Sequence, residues 1–355
     1  MGTAGFTEVI KPNSLSRNDF TFQYPLGRGG FGKVWLVTFN SDEQSYAMKE
    51  MLKLRIVSKQ SVNSVLNEQK LLSILRHPFL VNMKFAFQDR ENLFLVMDLM
   101  KGGDLRYHLH LKERFNEETT KFFAACIITG LEYLHINSII HRDIKPENLV
   151  LDPKGYLRIT DFGIARGLNS DNSKDTSGTP GYMAPEVMSR QRHGVAVDYF
   201  ALGVIVYEFM MGRRPYVGKS RKEIKEYMMA RQVSLVKAQV PAGWSMEAVD
   251  FVNKLIVRRP EERLGFGGPH EVKNHVWIRE FNWKALLEKK IEAPFRPNEE
   301  ENFDPRVLVN FNDELDYSID FASIQPMFKN YYFDWRESKN KPNETTLKAK
   351  LDEYK

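Results

Sequence analysis

His141-Arg142-Asp143-Ile144-Lys145-Pro146-Glu147-Asn148 puts a carboxylate, an ammonium and a carboxamide within six positions, from Asp143 to Asn148. Asp143 is suited to accept a proton or orient a hydroxyl. Lys145 is suited to offset charge on a transferring phosphoryl group, and Asn148 offers an oxygen to a metal. Pro146 keeps the segment out of a helix interior, so these side chains are expected on a loop. The apolar Leu149-Val150-Leu151 that follows reads as a short strand. A surface loop could carry the same residue types by chance, so the reading needs a second motif at a fitting distance.

Asp161-Phe162-Gly163 supplies it, eighteen residues after Asp143 and behind the strand-like Leu157-Arg158-Ile159-Thr160. An aspartate at a strand end, followed closely by glycine, suits a hard cation such as Mg²⁺. With both motifs present the chain resembles the eukaryotic protein kinases. The resemblance implies Asp143 as catalytic base, Asn148 and Asp161 as Mg²⁺ ligands, and Lys145 as a phosphate contact. A lysine two places after the catalytic aspartate resembles the serine/threonine branch.

Bulk properties agree with an enzyme of this size. The 355 residues, 42% of them hydrophobic, suffice for two domains or one bilobal one. A formal charge of +5, spread among nearly as many acids as bases, offers no basic stripe, so no nucleic-acid partner is expected. Cys126, the single cysteine, lies in an apolar helical pattern and reads as a small buried hydrophobe. That fits a reducing compartment, and a cytoplasmic location, with the nucleus as a second one, is the expectation. No signal peptide opens the sequence. The most apolar run, 199–211, is shorter than the ~20 residues of a membrane span and contains Glu208. Met1-Gly2 would suit myristoylation, but Phe6 stands where that motif has Ser or Thr.

Residues 1–19 read as an extension. Gly27-Arg28-Gly29-Gly30-Phe31-Gly32 then lies between strand-like segments and continues into Lys33-Val34-Trp35-Leu36-Val37. Dinucleotide-binding folds continue such a motif into a helix. A β-branched and aromatic continuation favours a glycine-rich hairpin over ATP phosphates, where backbone N–H groups approach the anion. Tyr46-Ala47-Met48-Lys49 matches the kinase strand lysine. Glu68, in a helical stretch from Ser61 to Leu75, is expected to pair with Lys49 and orient it onto phosphate. By resemblance, Val34 and Ala47 line the nucleotide pocket and Met97 is the gatekeeper. Asp98 and Met100 then offer backbone groups to adenine, Asp104 meets the ribose, and Phe303 approaches the pocket from a C-terminal tail.

The second half reads as helical. Asn116 is placed to cap a helix opening with Glu117-Glu118, and 198–211, apolar almost all round, predicts a buried central helix. Asp198 is implied to support the catalytic loop, and Glu186 of Ala184-Pro185-Glu186 to pair with Arg263. The tail segments Ala293-Pro294-Phe295-Arg296-Pro297, Asn302-Phe303-Asp304 and Phe328-Lys329-Asn330-Tyr331-Tyr332-Phe333 resemble the AGC group, especially the cyclic-nucleotide-dependent kinases. In that group the last motif docks on the small lobe, although Tyr332 stands where Ser or Thr is usual.

The activation segment departs from the group's pattern. Its phosphothreonine position holds Asp175, with Thr176, Ser173 and Ser177 as rival phosphorylation sites, and Arg142 and Arg166 as the expected basic receivers. Thr179 is implied to bond Asp143 and Lys145. Asp104, Glu147 and Glu208 match acids that receive substrate arginines, which predicts protein substrates with Arg or Lys two or three residues before the acceptor. Gly181 replaces an acid some relatives use further upstream. No cyclic-nucleotide-binding domain is visible, so second-messenger control would need a separate regulatory chain.

The expected fold is therefore α+β and bilobal. It has a β-rich N-lobe (20–97) with one regulatory helix, a hinge (98–104) and a mainly helical C-lobe (105–277). A tail (278–355), fraying after 337, wraps the N-lobe. The expected activity is ATP- and Mg²⁺-dependent phosphorylation of Ser/Thr, and the alternative is a pseudokinase scaffold. Retention of Lys49, Glu68, Asp143, Asn148 and Asp161 argues against that alternative, because the fold alone would not require them.

Overall fold

The computed structural model describes residues 15–28, 30–168, 172–173, 175–298 and 320–338. Most of the expected extension, Gly29, Phe303 and the chain beyond 338 lie outside them.

β1 (Phe20–Arg28), β2 (Gly32–Phe39) and β3 (Ser45–Leu52) form an antiparallel meander rich in aromatic and β-branched residues. Two helices follow, α1 (Lys53–Ser58) and α2 (Val62–Ile74). Then come β4 (Met83–Gln88) and β5 (Asn92–Asp98). The sheet order is β1-β2-β3-β5-β4-β10, in which β10 (Phe333–Asp334) comes from the far end of the chain. It pairs with β4 through Phe333↔Ala86 and Asp334↔Phe85. The tail thus closes the sheet edge, and buried Phe328 and Tyr331 pin it down. One face of the sheet carries an aromatic cluster of Phe20, Phe39, Phe85, Phe87 and Phe94.

From α3 (Leu105–Lys112) onward the chain is mainly helical. Asn116 caps α4 (Glu117–Ile136), its side chain accepting from Thr119 N at 2.9 Å. β6 (Ile139–Ile140) pairs with β9 (Arg166–Gly167), and β7 (Leu149–Leu151) with β8 (Leu157–Ile159). These small ribbons carry the loop at 141–148 and the turn at 161–163. α5 (Pro185–Met188) and α6 (Ala196–Met211) come next. α6 is buried from Ala196 to Met210 and packs on α4 and on α8 (Met246–Leu255). Arg263 and Glu186 form a buried bidentate pair at 2.6 and 3.0 Å. Residues 291–297 cross the helical lobe, where Phe295 packs edge-on to His108, Phe115 and Phe123. Among the described residues no helix is long and apolar enough to cross a membrane.

α1 was not anticipated: the N-lobe holds two helices. Its first residue, Lys53, is fully buried, with Nζ 2.7 Å from Asp89 O and 2.8 Å from Gln325 Oε1. Partners this distant in sequence leave no local pattern.

Candidate active site

The loop after β6 and the turn after β8 each hold one residue in an unfavourable backbone conformation. Arg142 has φ 71° and Asp161 φ 66°, left-handed values that cost a non-glycine residue on the order of 1–3 kcal/mol. Asp198, buried on α6, pins Arg142. Its Oδ1 accepts from Arg142 N at 2.8 Å, and its Oδ2 accepts from His141 N at 2.9 Å and lies 2.8 Å from His135 Nε2. Burial pushes the Asp198 carboxyl up, but the His135 contact and these N–H groups outweigh it and leave it below the usual range.

Both oxygens of Asp143 are engaged. Oδ1 accepts from Thr179 N at 3.0 Å and Thr179 Oγ1 at 2.8 Å. Oδ2 accepts from Lys145 Nζ at 2.6 Å and Asn148 Nδ2 at 3.1 Å. Lys145 also donates to Thr179 Oγ1 at 2.8 Å. The loop and the activation segment therefore meet on one carboxylate, and a hydroxyl placed there would face a fixed acceptor beside a fixed cation.

Asn148 donates its Nδ2 to Asp143 O at 2.9 Å as well, which directs its carbonyl oxygen away from that contact. The β7–β8 ribbon pairs Leu149 with Ile159, and Thr160 N donates to Asn148 O at 3.0 Å, so Asp161 follows directly beside Asn148. One carboxylate and one carboxamide oxygen fit Mg²⁺, which keeps waters and takes further ligands from phosphates. No group of three or more His, Cys, Asp or Glu side chains that could hold a metal occurs among the described residues.

Lys49 reaches Glu68 of α2 at 2.9 Å. Burial opposes its charge, but the Glu68 and Asp161 carboxylates more than offset this and raise its pKa. Burial, with help from Asp161, pushes Glu68 upward while Lys49 opposes. The short contact and the second carboxylate favour a charged lysine. Lys49 thus lies between the helix carboxylate and the candidate metal ligand.

Val34 pairs with Lys49 across β2–β3, and Ala47 with gatekeeper-position Met97 across β3–β5. Gly27, Arg28, Gly30, Phe31 and Gly32 make the β1–β2 turn region. Gly32 is required for a reason other than phosphate approach: a side chain there would run into Glu50 O on β3. Asp98 gives its N–H to Asn82 O at 3.0 Å and its carboxylate to Arg158 at 2.7 Å. The Met100 N–H has no protein acceptor among the described residues. Asp104 caps α3, accepting from Tyr107 N at 2.9 Å.

In the activation segment Arg142 Nη1 donates to Asp175 Oδ2 at 2.6 Å, and Ser177 donates to Asp175 Oδ1 from N (3.0 Å) and Oγ (2.6 Å). Burial works to raise the Asp175 pKa, but Ser177 and Arg142 outweigh it and hold it down to about 2. Arg166 was expected as a second receiver. It pairs in the β6–β9 ribbon instead and makes no ion pair with Asp175. Thr176 follows the anchored Asp175 directly.

The sequence profile of the protein kinase domain matches residues 20–278. The chain belongs to the protein kinase family. A probable serine/threonine-protein kinase of Dictyostelium discoideum is 38% identical over 295 residues, covering 82% of this chain and 64% of that protein. Protein kinase 2 of the same organism is 35% identical over 297 residues, covering 82% and 61%. The human RAC-beta serine/threonine-protein kinase is 38% identical over 306 residues, covering 85% and 62%. The chain spans about three fifths of the length of these relatives.

Two of the three candidate substrate acids, Glu147 and Glu208, already have a cationic partner in Arg106. Arg106 Nε donates to Glu147 Oε1 at 2.9 Å and Nη1 to Glu208 Oε1 at 3.0 Å, while Nη2 reaches the Tyr182 hydroxyl and, at 3.4 Å, Glu208 Oε2. Tyr182 OH donates to Glu208 Oε2 at 2.5 Å. Arg214 lies over Gly181, where a side chain would run into its guanidinium. Sequence reasoning missed both arginines. The available signal for Arg106 was a cation two residues after Asp104, on the first turn of the predicted helical lobe.

Proposed function

We propose that the chain is an ATP- and Mg²⁺-dependent serine/threonine protein kinase whose activation segment is ordered by Asp175 without phosphorylation. The cluster of Asp143, Lys145, Asn148 and Thr179 carries the reading, because it joins a proton acceptor, a cation and a metal-ligand oxygen in one place. Mg²⁺ bound by Asn148 and Asp161 would neutralise phosphate charge. Asp143 would orient the acceptor hydroxyl and take its proton, Lys145 would offset charge on the transferring phosphoryl group, and Lys49, fixed by Glu68, would hold the nucleotide phosphates. The unbonded Met100 N–H supports a hinge contact with adenine. The Arg142–Asp175 pair supports a loop held by a carboxylate where AGC kinases use a phosphate. Basic residues upstream of the acceptor remain part of the reading through Asp104, and a reducing location, cytoplasm or nucleus, fits the buried Cys126. Phosphate transfer from radiolabelled ATP to a degenerate peptide library tests the activity, with Lys49→Met and Asp161→Ala as controls. Nucleotide binding without transfer would make the chain a pseudokinase scaffold.

A further inference from the structure

We propose that Arg106 is a specificity-determining residue: it fills, from the enzyme's own chain, the acidic subsite of Glu147 and Glu208, so that the enzyme does not select arginine at the substrate position this subsite reads. The inference rests on the kinase reading and narrows its substrate class.

The subsite belongs to the acceptor's surroundings by chain connectivity. Glu147 precedes Asn148, whose amide lies 3.1 Å from the Asp143 carboxylate. Tyr182, which donates to Glu208, lies three residues after Thr179, which bonds the same carboxylate. A peptide presenting a hydroxyl to Asp143 therefore passes this acidic pair within a few residues, at about 3.3 Å per extended residue.

Arg106 engages both acids. Glu208 is 5% exposed, and both its oxygens are taken, by Arg106 and by Tyr182. Glu147 is more open, and Arg106 Nε holds one of its oxygens. A resident guanidinium competes at an effective concentration on the order of millimolar or above, against a substrate in bulk solution. It makes the same charge-assisted contacts a substrate arginine would make. The subsite's charge falls from two negatives to one. Arg214, whose guanidinium lies over Gly181 and 5.6 Å from the Tyr182 ring centroid, adds a second cation to the same wall. The attraction for a cationic peptide is weakened accordingly.

The test is kcat/KM on acceptor peptides carrying Arg or Ala at each upstream position, for the full chain and its variants. The wild type is expected to discriminate less than about threefold between Arg and Ala two or three residues before the acceptor, at whichever position the subsite reads. Arg106→Leu should gain about tenfold or more in favour of Arg there, mostly through KM, the scale of one interfacial charged contact. Adding Glu147→Ala should remove the gain. Arg106→Gln removes the charge; its amide nitrogen stands where Nε does, so it keeps the hydrogen bond to Glu147 and gives up those to Glu208. It should show the same shift at smaller size, and it carries the comparison if Arg106→Leu fails to fold. A wild type that already selects Arg by tenfold there, or variants with an unchanged profile, would overturn the proposal while leaving the kinase reading intact. No phosphate transfer to any peptide by the wild type would overturn the kinase reading itself, and this proposal with it.

Discussion

If Asp143 orients the acceptor and Lys49 holds the nucleotide, as proposed, their substitutions should fail differently. Asp143→Asn keeps the shape of the cluster around Thr179 and Lys145 and removes the proton acceptor. It should lower kcat by at least ~100-fold with little change in KM for ATP, the scale found when one preorganised group is lost. Lys49→Met should instead leave Glu68 buried without its partner and weaken both nucleotide positioning and rate. Initial rates with varied ATP separate the two. Asp175 makes a prediction with a sign. Its folded pKa of about 2 lies below the ordinary carboxylate value. The Arg142 pair therefore stabilises the loop at every pH above about 4, and is lost only as pH falls through about 2. A phosphate, with its second pKa near ~6, would change charge between pH ~5.5 and ~8. Limited proteolysis should find the wild-type loop equally protected at both pH values and Asp175→Asn equally exposed at both. Protection that rises with pH in the wild type would point to a phosphorylated neighbour. At this scale the cluster was legible, because Asp143, Lys145 and Asn148 stand within six positions and the structure brings them onto one carboxylate. Arg106 was not, because its partners lie 41 and 102 positions away and its meaning depends on both being present.

Element boundaries show the same division between local and distant causes. The helix expected over 61–75 is Val62–Ile74, and the one expected from Asn116 begins at Glu117 with the asparagine as its cap. Period and capping chemistry are local, so they could be read. α1 could not, since it is stabilised by Lys53 reaching Asp89 and Gln325. Two substitutions separate these classes. Asn116→Ala removes one capping hydrogen bond and should cost about 1 kcal/mol. Arg263→Ala leaves Glu186, 3% exposed, as an uncompensated buried charge, and should cost about 3–5 kcal/mol. For a lobe of this size each kcal/mol lowers the melting temperature by about 2–4 °C. Calorimetry should therefore show a shift of a few degrees for the cap and about 10 °C for the ion pair. Equal shifts would mean that the bidentate contact contributes no more than an exposed one.

The whole molecule is tied together by a segment some 250 residues from the strand it joins. β10 extends the N-lobe sheet at β4, Gln88 Nε2 donates to Phe328 O at 2.6 Å, and Gln69 of α2 donates to Tyr332 O at 3.3 Å. Because α2 also carries Glu68, the tail braces the helix that orients Lys49. Two substitutions at Tyr331 separate packing from polarity. Tyr331 is 1% exposed, and its hydroxyl has no hydrogen-bond partner among the described residues. Burying an unpaired hydroxyl is unfavourable by about 1–3 kcal/mol, so Tyr331→Phe should leave stability unchanged or raise it by about 1 kcal/mol. Tyr331→Ala empties a buried aromatic-sized site in the tail, near enough to Glu68 of α2 for that carboxylate to act on the phenol, and should destabilise the lobe by about 3–5 kcal/mol. If the tail acts through α2, the alanine variant should also weaken ATP use, and the phenylalanine variant should not. Thermal melting and the KM for ATP, measured on both, decide the matter. A phenylalanine variant as impaired as the alanine would mean that polarity rather than packing couples the tail to the site.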